Sequence, residues 1–209
     1  MHDHTVDEAT SQPRRHVPDS VIRRYLHRAL ALRDAGTALH THRVSFVSEQ
    51  IGAHMGFSPH EARALFIGGT LHDIGKLGTP DAVLKKAGVY NDNERAIMRG
   101  HCLDGFEILR GKVTQEAAMI ALCHHERYDG TGYPNGMTGD AIPMSARVCS
   151  VADYFDAATS EHGGPAPRST LEAAGEISRH RGTWFDPAVV DAFLRAYELK
   201  AFEEIPLPR

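Results

Sequence analysis

The sequence predicts an all-α protein, a single-domain helical bundle. Three observations carry that expectation. From Asp19 onward apolar residues recur at three- and four-residue spacing, no segment shows convincing period-two alternation, and helix-capping signals punctuate the chain. With 209 residues, 42% of them hydrophobic, the chain can close one sizeable core and is short for two.

The elements follow in order. Residues 1–18 are polar, contain proline and lack periodicity, so they read as a disordered tail, and residues 19–205 read as the folded domain. A first helix is expected over about 20–34, "SVIRRYLHRALALRD", and a second over about 38–55, where Val44, Val47 and Ile51 keep helical spacing. "SPHE" opens a third: Ser58 is the N-cap, Pro59 takes N1 and Glu61 at N3 completes a capping box. That helix is expected to run to about Ile74 and to end near Gly75 and Gly78. A loop carrying "TPDAVLKKAGVYNDNE" leads to a fourth helix over about 92–110, and a fifth over about 114–127 stops at a Gly-rich loop. The sixth, "MSARVCSVADYFDAATS", is apolar on nearly all sides and belongs at the centre. The loop "EHGGPAPR" (161–168) then precedes helices over about 169–180 and 187–201. No internal repeat or low-complexity linker interrupts them.

Charge and composition exclude several function classes. A net charge of -4 and a pI near 6.4 leave no electrostatic footprint for polymeric nucleic acid or an anionic membrane, which points to a small substrate or a protein partner. No apolar run is long enough to span a bilayer, and "MHDHTVDEATSQPRR" lacks a signal-peptide core, so a cytoplasmic location is expected. Cys102, Cys123 and Cys149 are odd in number and form no C-x-x-C pair, which argues against a disulfide framework or zinc ribbon; they read as small core residues.

Histidine is the outlier, with fourteen residues. His2, His4, His16, His27 and His180 read as surface scatter, as do His42, His54 and His60. The informative ones fall on apolar stripes. His40 continues the series Val44, Val47, Ile51; Leu65 and Gly69 lead to His72, with Asp73 beside it and Lys76 one turn on. Ile97, His101, Gly105 and Ile108 share a face, as do Ala117, Ala121 and His124, and likewise Ala146, Cys149 and Asp153. A lone inward histidine is more often a satisfied core residue than a ligand. Five helices that each place a His or Asp on an apolar face change the balance, because an unpartnered buried polar group costs on the order of several kcal/mol. Metal ions offer a common partner for neutral imidazole and ionised Asp, and a mixed His/Asp shell without cysteine favours Fe, Mn or a similar divalent ion with open positions.

"LHDIGK" (71–76), His101, "HHERYDGTGYP" (124–134) and "VADYFDAATS" (151–160) closely resemble the HD-GYP family, a branch of the HD-domain metal-dependent phosphohydrolases. "HTHRV" (40–44) looks like that family's first histidine helix, and "RGTWFDPAVVDAF" (181–193) resembles its closing helix; the resemblance covers about residues 34–195. It implies a bundle of the HD-domain type and cyclic di-GMP phosphodiesterase activity, giving pGpG or onward cleavage to GMP. Carried over by position, it implies that His40, His72, Asp73 and Asp153 hold one divalent ion, Fe or Mn. Asp73 would bridge to a second ion, which His101, His124 and His125 complete. Two such cations, about 3.5–4 Å apart, can share a hydroxide and stabilise an in-line displacement at phosphorus. Lys76 would bind a non-bridging phosphate oxygen, and Gly132, Tyr133 and Pro134 carry the family's signature loop beside the substrate, where Tyr133 stacks, contacts a partner or only anchors the loop.

Two positions depart from the family pattern. Gly36 stands where some members place a Glu that holds a third metal, so two metals are expected. After Ser160, His162 stands where members carry an Arg that contacts the dinucleotide phosphate, and Arg168 substitutes only if the loop folds back. Two other readings stay open: a metal-binding module that docks on a nucleotide cyclase or another protein partner, and a phosphohydrolase of a different nucleotide second messenger. A homodimer also stays open. Among the neighbours, Asp156 reads as an acceptor that supports a ligand or as a helix-pairing group, Asp129 as a turn initiator or as a group that orients a ligand histidine, and Glu126 and Arg127 as a mutual pair, as partners of the loop, or as site residues. Lys85 and Lys86 read as solvated. The length leaves no room for an input domain ahead of the catalytic unit, so input is expected by another route.

Overall fold

Asp34 ends one helix and begins the next. Its backbone N–H closes α1 (Asp19–Arg33), and its carboxylate accepts from Gly36 N and Thr37 N at the start of α2 (Ala35–His54). A computed structural model describes residues 17–161 and 166–203 of the chain. The expected tail therefore lies, over residues 1–16, outside the described residues, as do His2, His4, His16 and His162. The described residues form ten α-helices and two short 3-10 turns, with no strand. The protein is all-α, as its periodicity predicts.

Helix α3 (Pro59–Leu71) begins with the expected capping box, in which Ser58 and Glu61 satisfy each other's backbone N–H groups. A 3-10 turn (Ile74–Gly78) and the short α4 (Asp81–Leu84) follow, then α5 (Asp92–Arg99), α6 (His101–Leu109) and α7 (Gln115–Cys123). Helix α8 (Met144–Thr159) packs against α2, α3, α7, α9 (Thr170–Arg179) and α10 (Pro187–Glu198), which makes it the central element. The apolar core has two main parts. One joins α2, α8, α9 and α10 around Val47, Ile51, Phe155 and Phe193; the other joins α1, α3, α6 and α7 around Leu30, Leu71, Leu109 and Ala118. The three cysteines are buried and unpaired. Among the described residues, no helix is long and apolar enough to cross a membrane.

Helix α2 begins at Ala35 rather than about 38 and α10 ends at Glu198 rather than about 201, and three more helices depart from their expected bounds for one shared cause. The third ends at Leu71 rather than Ile74, the fifth ends at Cys123 rather than about 127, and the fourth breaks at Gly100 into α5 and α6. At each end or break a histidine donates its ring Nδ1–H to a carbonyl of the preceding turn. His72 uses Gly69 O at 2.8 Å, His101 uses Met98 O at 2.6 Å, and His124 uses Ala121 O and Ile120 O at 3.1 Å each. The imidazoles thus take carbonyls that a helix terminus leaves unsatisfied. The break also corrects one predicted face: Ile97 is 37% exposed and does not share the buried stripe of His101. Close approach of the Ile74–Gly78 turn to α6 requires glycine, because a Cβ on Gly75 would lie 2.0 Å from His101 O and 2.6 Å from Gly105 N.

Candidate metal centre

The broken helix ends converge around one carboxylate. Asp73 follows His72 at the end of α3 and is 2% exposed. Its Oδ1 lies 3.4 Å from His101 Nε2 and 4.0 Å from His124 Nε2, and its Oδ2 lies 3.6 Å from His72 Nε2 and 2.5 Å from Lys76 Nζ. From α8, Asp153 Oδ1 reaches His40 Nε2 at 2.9 Å and His72 Nε2 at 3.8 Å, while its Oδ2 is 3.9 Å from His125 Nδ1. The structure therefore brings together His40, His72, Asp73, His101, His124, His125 and Asp153. Ligand atoms of His40, His72 and Asp73 lie within 4.8 Å of one another, and so do those of His101, Cys102, His124 and His125.

Hydrogen bonding decides which atoms face inward. Because His72, His101 and His124 each donate through Nδ1, their Nε2 atoms carry lone pairs. The Nε2 of His72 is buried without a hydrogen-bond partner. Those of His101 and His124 face each other across 3.3 Å, although neither has a proton left to donate. Two lone pairs at that separation repel, and a buried unpartnered acceptor is costly. A divalent cation resolves both problems, and imidazole nitrogens beside carboxylates are donors that such a cation accepts. The residues fit a metal centre.

The electrostatics are consistent with that fit. Burial pushes the rings of His101 and His124 below the ordinary imidazole value, and it pushes His125 down to about 3, so all three are neutral, as ligands must be. Burial alone would raise the Asp73 carboxyl, but Lys76 and the surrounding imidazoles hold it well below the usual range. Asp153 is likewise held low against burial, chiefly by His40. His40 differs: burial pushes it down, yet Asp153 and Asp156 outweigh burial and raise it to about 9. Asp156 accepts from His40 Nδ1 at 2.7 Å and from Arg43 Nε at 2.5 Å, which leaves His40 Nε2 aimed at Asp153. That is the supporting role read for Asp156 from its place one turn after Asp153.

The signature loop closes over His125. Tyr133 N donates to His125 O at 3.1 Å, the two rings stand 4.8 Å apart, and the Arg99 guanidinium lies 4.7 Å from the Tyr133 centroid. Gly132 packs directly on the chain before it: a Cβ there would lie 2.3 Å from Arg127 N and 2.6 Å from Glu126 Cα. Glu126 is buried and its carboxylate accepts from Asn135 N at 2.7 Å and Met137 N at 3.0 Å, so of the roles left open for it, the structure gives it the loop. Arg127 does not pair with Glu126 in this way; its guanidinium stacks on Trp184 at 4.0 Å. Asp129 starts a turn by accepting from Thr131 N at 2.9 Å.

Two readings of single residues change, and that of Cys102 holds. Arg168 is not brought to the cluster; it is exposed, pairs with Glu176 and donates to Tyr154 Oη at 3.2 Å. Cys102 is core, but its Sγ lies 3.5 Å from His101 Nε2, closer to the centre than its type suggests. Lys86 is not freely solvated: it is 31% exposed and its Nζ meets Glu94 at 2.5 Å. Sequence reasoning also missed Arg43, whose contact with Asp156 spans 113 residues and leaves no local signal.

A bundle whose helices end in inward-facing histidines around two aspartates is an all-α protein with a cluster that could hold metal ions. The chain belongs to the HD domain family: the family model matches residues 24–189. The resemblance read from the motifs stands with it. The chain is 43% identical over 175 residues to the cyclic di-GMP phosphodiesterase response regulator RpfG of Xanthomonas campestris, covering 81% of this chain and 46% of that protein. It is 42% identical to a cyclic di-GMP phosphodiesterase of Thermotoga maritima over 166 residues, 78% of this chain and 45% of the relative. It is 35% identical to the 3'3'-cGAMP-specific phosphodiesterase 2 of Vibrio cholerae over 176 residues, 83% and 34% of the two chains. The chain thus spans half the length of these relatives or less. Among solved structures, the cyclic GMP-AMP specific phosphodiesterase V-cGAP3 of V. cholerae superposes with a TM-score of 0.69 at 25% identity, covering 88% of this chain and 50% of that one. The PgpH HD domain of L. monocytogenes, solved with cyclic-di-AMP, gives 0.60 at 20% identity over 87% and 99% of the two chains, a likeness of fold alone.

Proposed function

We propose that residues 19–205 form a metal-dependent phosphodiesterase unit that hydrolyses cyclic di-GMP to pGpG in the cytoplasm. The observation that carries this reading is the facing pair of Nε2 lone pairs on His101 and His124 beside Asp73, next to the partnerless Nε2 of His72. His40, His72, Asp73 and Asp153 would hold one divalent ion, and Asp73, His101, His124 and His125 a second, with Fe or Mn suited to the donor set. When bound, such a pair supplies an activated water and charge neutralisation for displacement at phosphorus.

The chain's own residues do the rest. The neutral imidazoles of His101, His124 and His125, kept so by burial, offer lone pairs without first losing protons, whereas His40, raised by Asp153 and Asp156, gives up its Nε2 proton when it ligates. Lys76, 2.5 Å from Asp73, places an ammonium at the edge of the centre, where it would meet a non-bridging phosphate oxygen. Gly132 lets the loop lie flat on the chain before it, and Tyr133 covers His125, forming one wall for the substrate. Relatives named as cyclic di-GMP phosphodiesterases support the substrate. A relative named as 3'3'-cGAMP-specific supports a second reading, hydrolysis of another cyclic dinucleotide at the same centre. The test is to load the purified chain with Mn or Fe, incubate it with cyclic di-GMP and with 3'3'-cGAMP, and resolve the products beside an Asp73→Ala control. Formation of pGpG that the control abolishes supports the proposal. Metal uptake without turnover of either compound would favour a docking module.

A further inference from the structure

A cleft of about 540 Å³ opens beside the metal centre, within the range of about 300–1,000 Å³ that small-ligand sites occupy. Lys76 and Met98 line it, and they tie it to both halves of the centre: Lys76 holds Asp73, while the Met98 carbonyl takes the Nδ1–H of His101. The segment after α4 contributes Lys85, Lys86 and Tyr90 to the lining. Asp34 also lines the cleft, but its carboxylate is engaged at the start of α2.

A cyclic dinucleotide presents two phosphodiesters and two bases, and the centre with Lys76 accounts for only the phosphodiester that is cut. We propose that this cleft is the subsite for the rest of the substrate, with Lys86 on the second phosphate and Tyr90 against a base. The inference rests on the function proposed above and names residues that reading does not use. Lys86 suits the role better than Lys85. Glu94 anchors Lys86 at 2.5 Å and it is half-buried, whereas Lys85, paired with Asp81, is 62% exposed. An ammonium has three donors, so an anchored Lys86 keeps donors for a phosphate oxygen. Tyr90 offers a ring face on which a base can stack without regard to its sequence. This subsite also supplies a cation for the second phosphate in a chain whose Arg168 is turned toward Glu176.

The test is steady-state kinetics of the Mn-loaded full chain with cyclic di-GMP, backed by calorimetric binding of cyclic di-GMP to the same proteins. Loss of a charge-assisted bond to phosphate predicts that Lys86→Gln raises KM about tenfold or more with kcat little changed. Lys86→Arg restores most of the affinity, and Tyr90→Ala raises KM while Tyr90→Phe does not. Glu94→Gln separates this role from a purely structural clamp. The subsite predicts that Glu94→Gln, which keeps an acceptor oxygen to hold Lys86, raises KM much less than Lys86→Gln; a clamp predicts that it matches Lys86→Gln in KM. Unchanged KM in Lys86→Gln, or equal damage from Glu94→Gln, overturns the proposal. If the wild-type chain binds cyclic di-GMP without turning it over, the hydrolytic reading fails, and weaker binding by Lys86→Gln still supports the subsite. If the wild-type chain does not bind it at all, both fall.

Discussion

Asp156→Asn tests how the chain supports its metal centre from behind. The Asp156 carboxylate is 3% exposed and accepts from His40 Nδ1 at 2.7 Å, from Arg43 Nε at 2.5 Å and Nη2 at 2.9 Å, and from Ser160 Oγ at 3.2 Å. An amide keeps the shape, loses the charge, and offers one acceptor oxygen where the carboxylate offered two. Losing an outer partner of a histidine ligand typically costs about 10–100-fold in metal affinity. Breaking a buried ion pair costs about 3–5 kcal/mol; because Arg43 can turn to solvent, a loss of about 1–3 kcal/mol is expected here. His40, raised to about 9 partly by Asp156, should titrate at lower pH in the metal-free variant. Three measurements check this: Mn affinity by chelator competition, urea unfolding of metal-free protein, and an NMR titration of the His40 ring. At saturating Mn most of the turnover should return, because Asp156 acts on affinity. Unchanged Mn affinity together with an unchanged His40 titration would refute the reasoning.

Further predictions concern pH, the loop and the helix contact at Gly75. In metal-free protein, His101, His124 and His125 stay neutral where the unfolded chain takes up protons, so stability should fall as pH drops below about 6.5. His40 acts oppositely: the folded chain keeps its proton to about 9, so its contribution is full below about 6.5 and is lost as pH rises through 9. Urea unfolding in the presence of chelator should therefore show a maximum near neutrality; stability that rises steadily from pH 7 to 9 would contradict this. Gly132→Ala places a methyl 2.3 Å from Arg127 N, so it should displace Tyr133 from His125 and lower kcat/KM about tenfold or more while metal content holds. Loss of metal instead would assign the loop a different role. Gly75→Ala, 2.0 Å from His101 O, should cost about 1–3 kcal/mol in unfolding experiments and weaken Mn binding, because the obstructing atoms are backbone.

Much of this centre was legible in the sequence, and the reason is local. His40, His72, His124 and Asp153 announce themselves by interrupting apolar stripes, and periodicity reports such interruptions. The helix bounds around them were less legible. Nothing in "GTLHDIG" or "MRGHCLDG" tells a period count that an imidazole will take the carbonyl of the preceding turn and end the helix there. Side chains whose partners lie far along the chain were least legible. Arg43 finds Asp156 across 113 residues, and the Lys86 to Glu94 pair crosses the start of a helix that a lysine-rich loop does not advertise. Glu126 was equally ambiguous, since the backbone N–H groups it satisfies belong to a loop whose path is set by tertiary packing.

Activity at this centre depends on these inward-facing imidazoles and carboxylates holding a pair of divalent ions. Elemental analysis of Mn-reconstituted, exhaustively dialysed protein tests it most directly, with Asp73→Ala prepared in parallel. Asp73 borders both groups of ligand atoms, at 3.6 Å from His72 and 3.4 Å from His101. About two ions per wild-type chain are expected, with loss of both in the variant. Wild-type protein that retains no divalent ion, or a variant that retains as many as wild type, would contradict this.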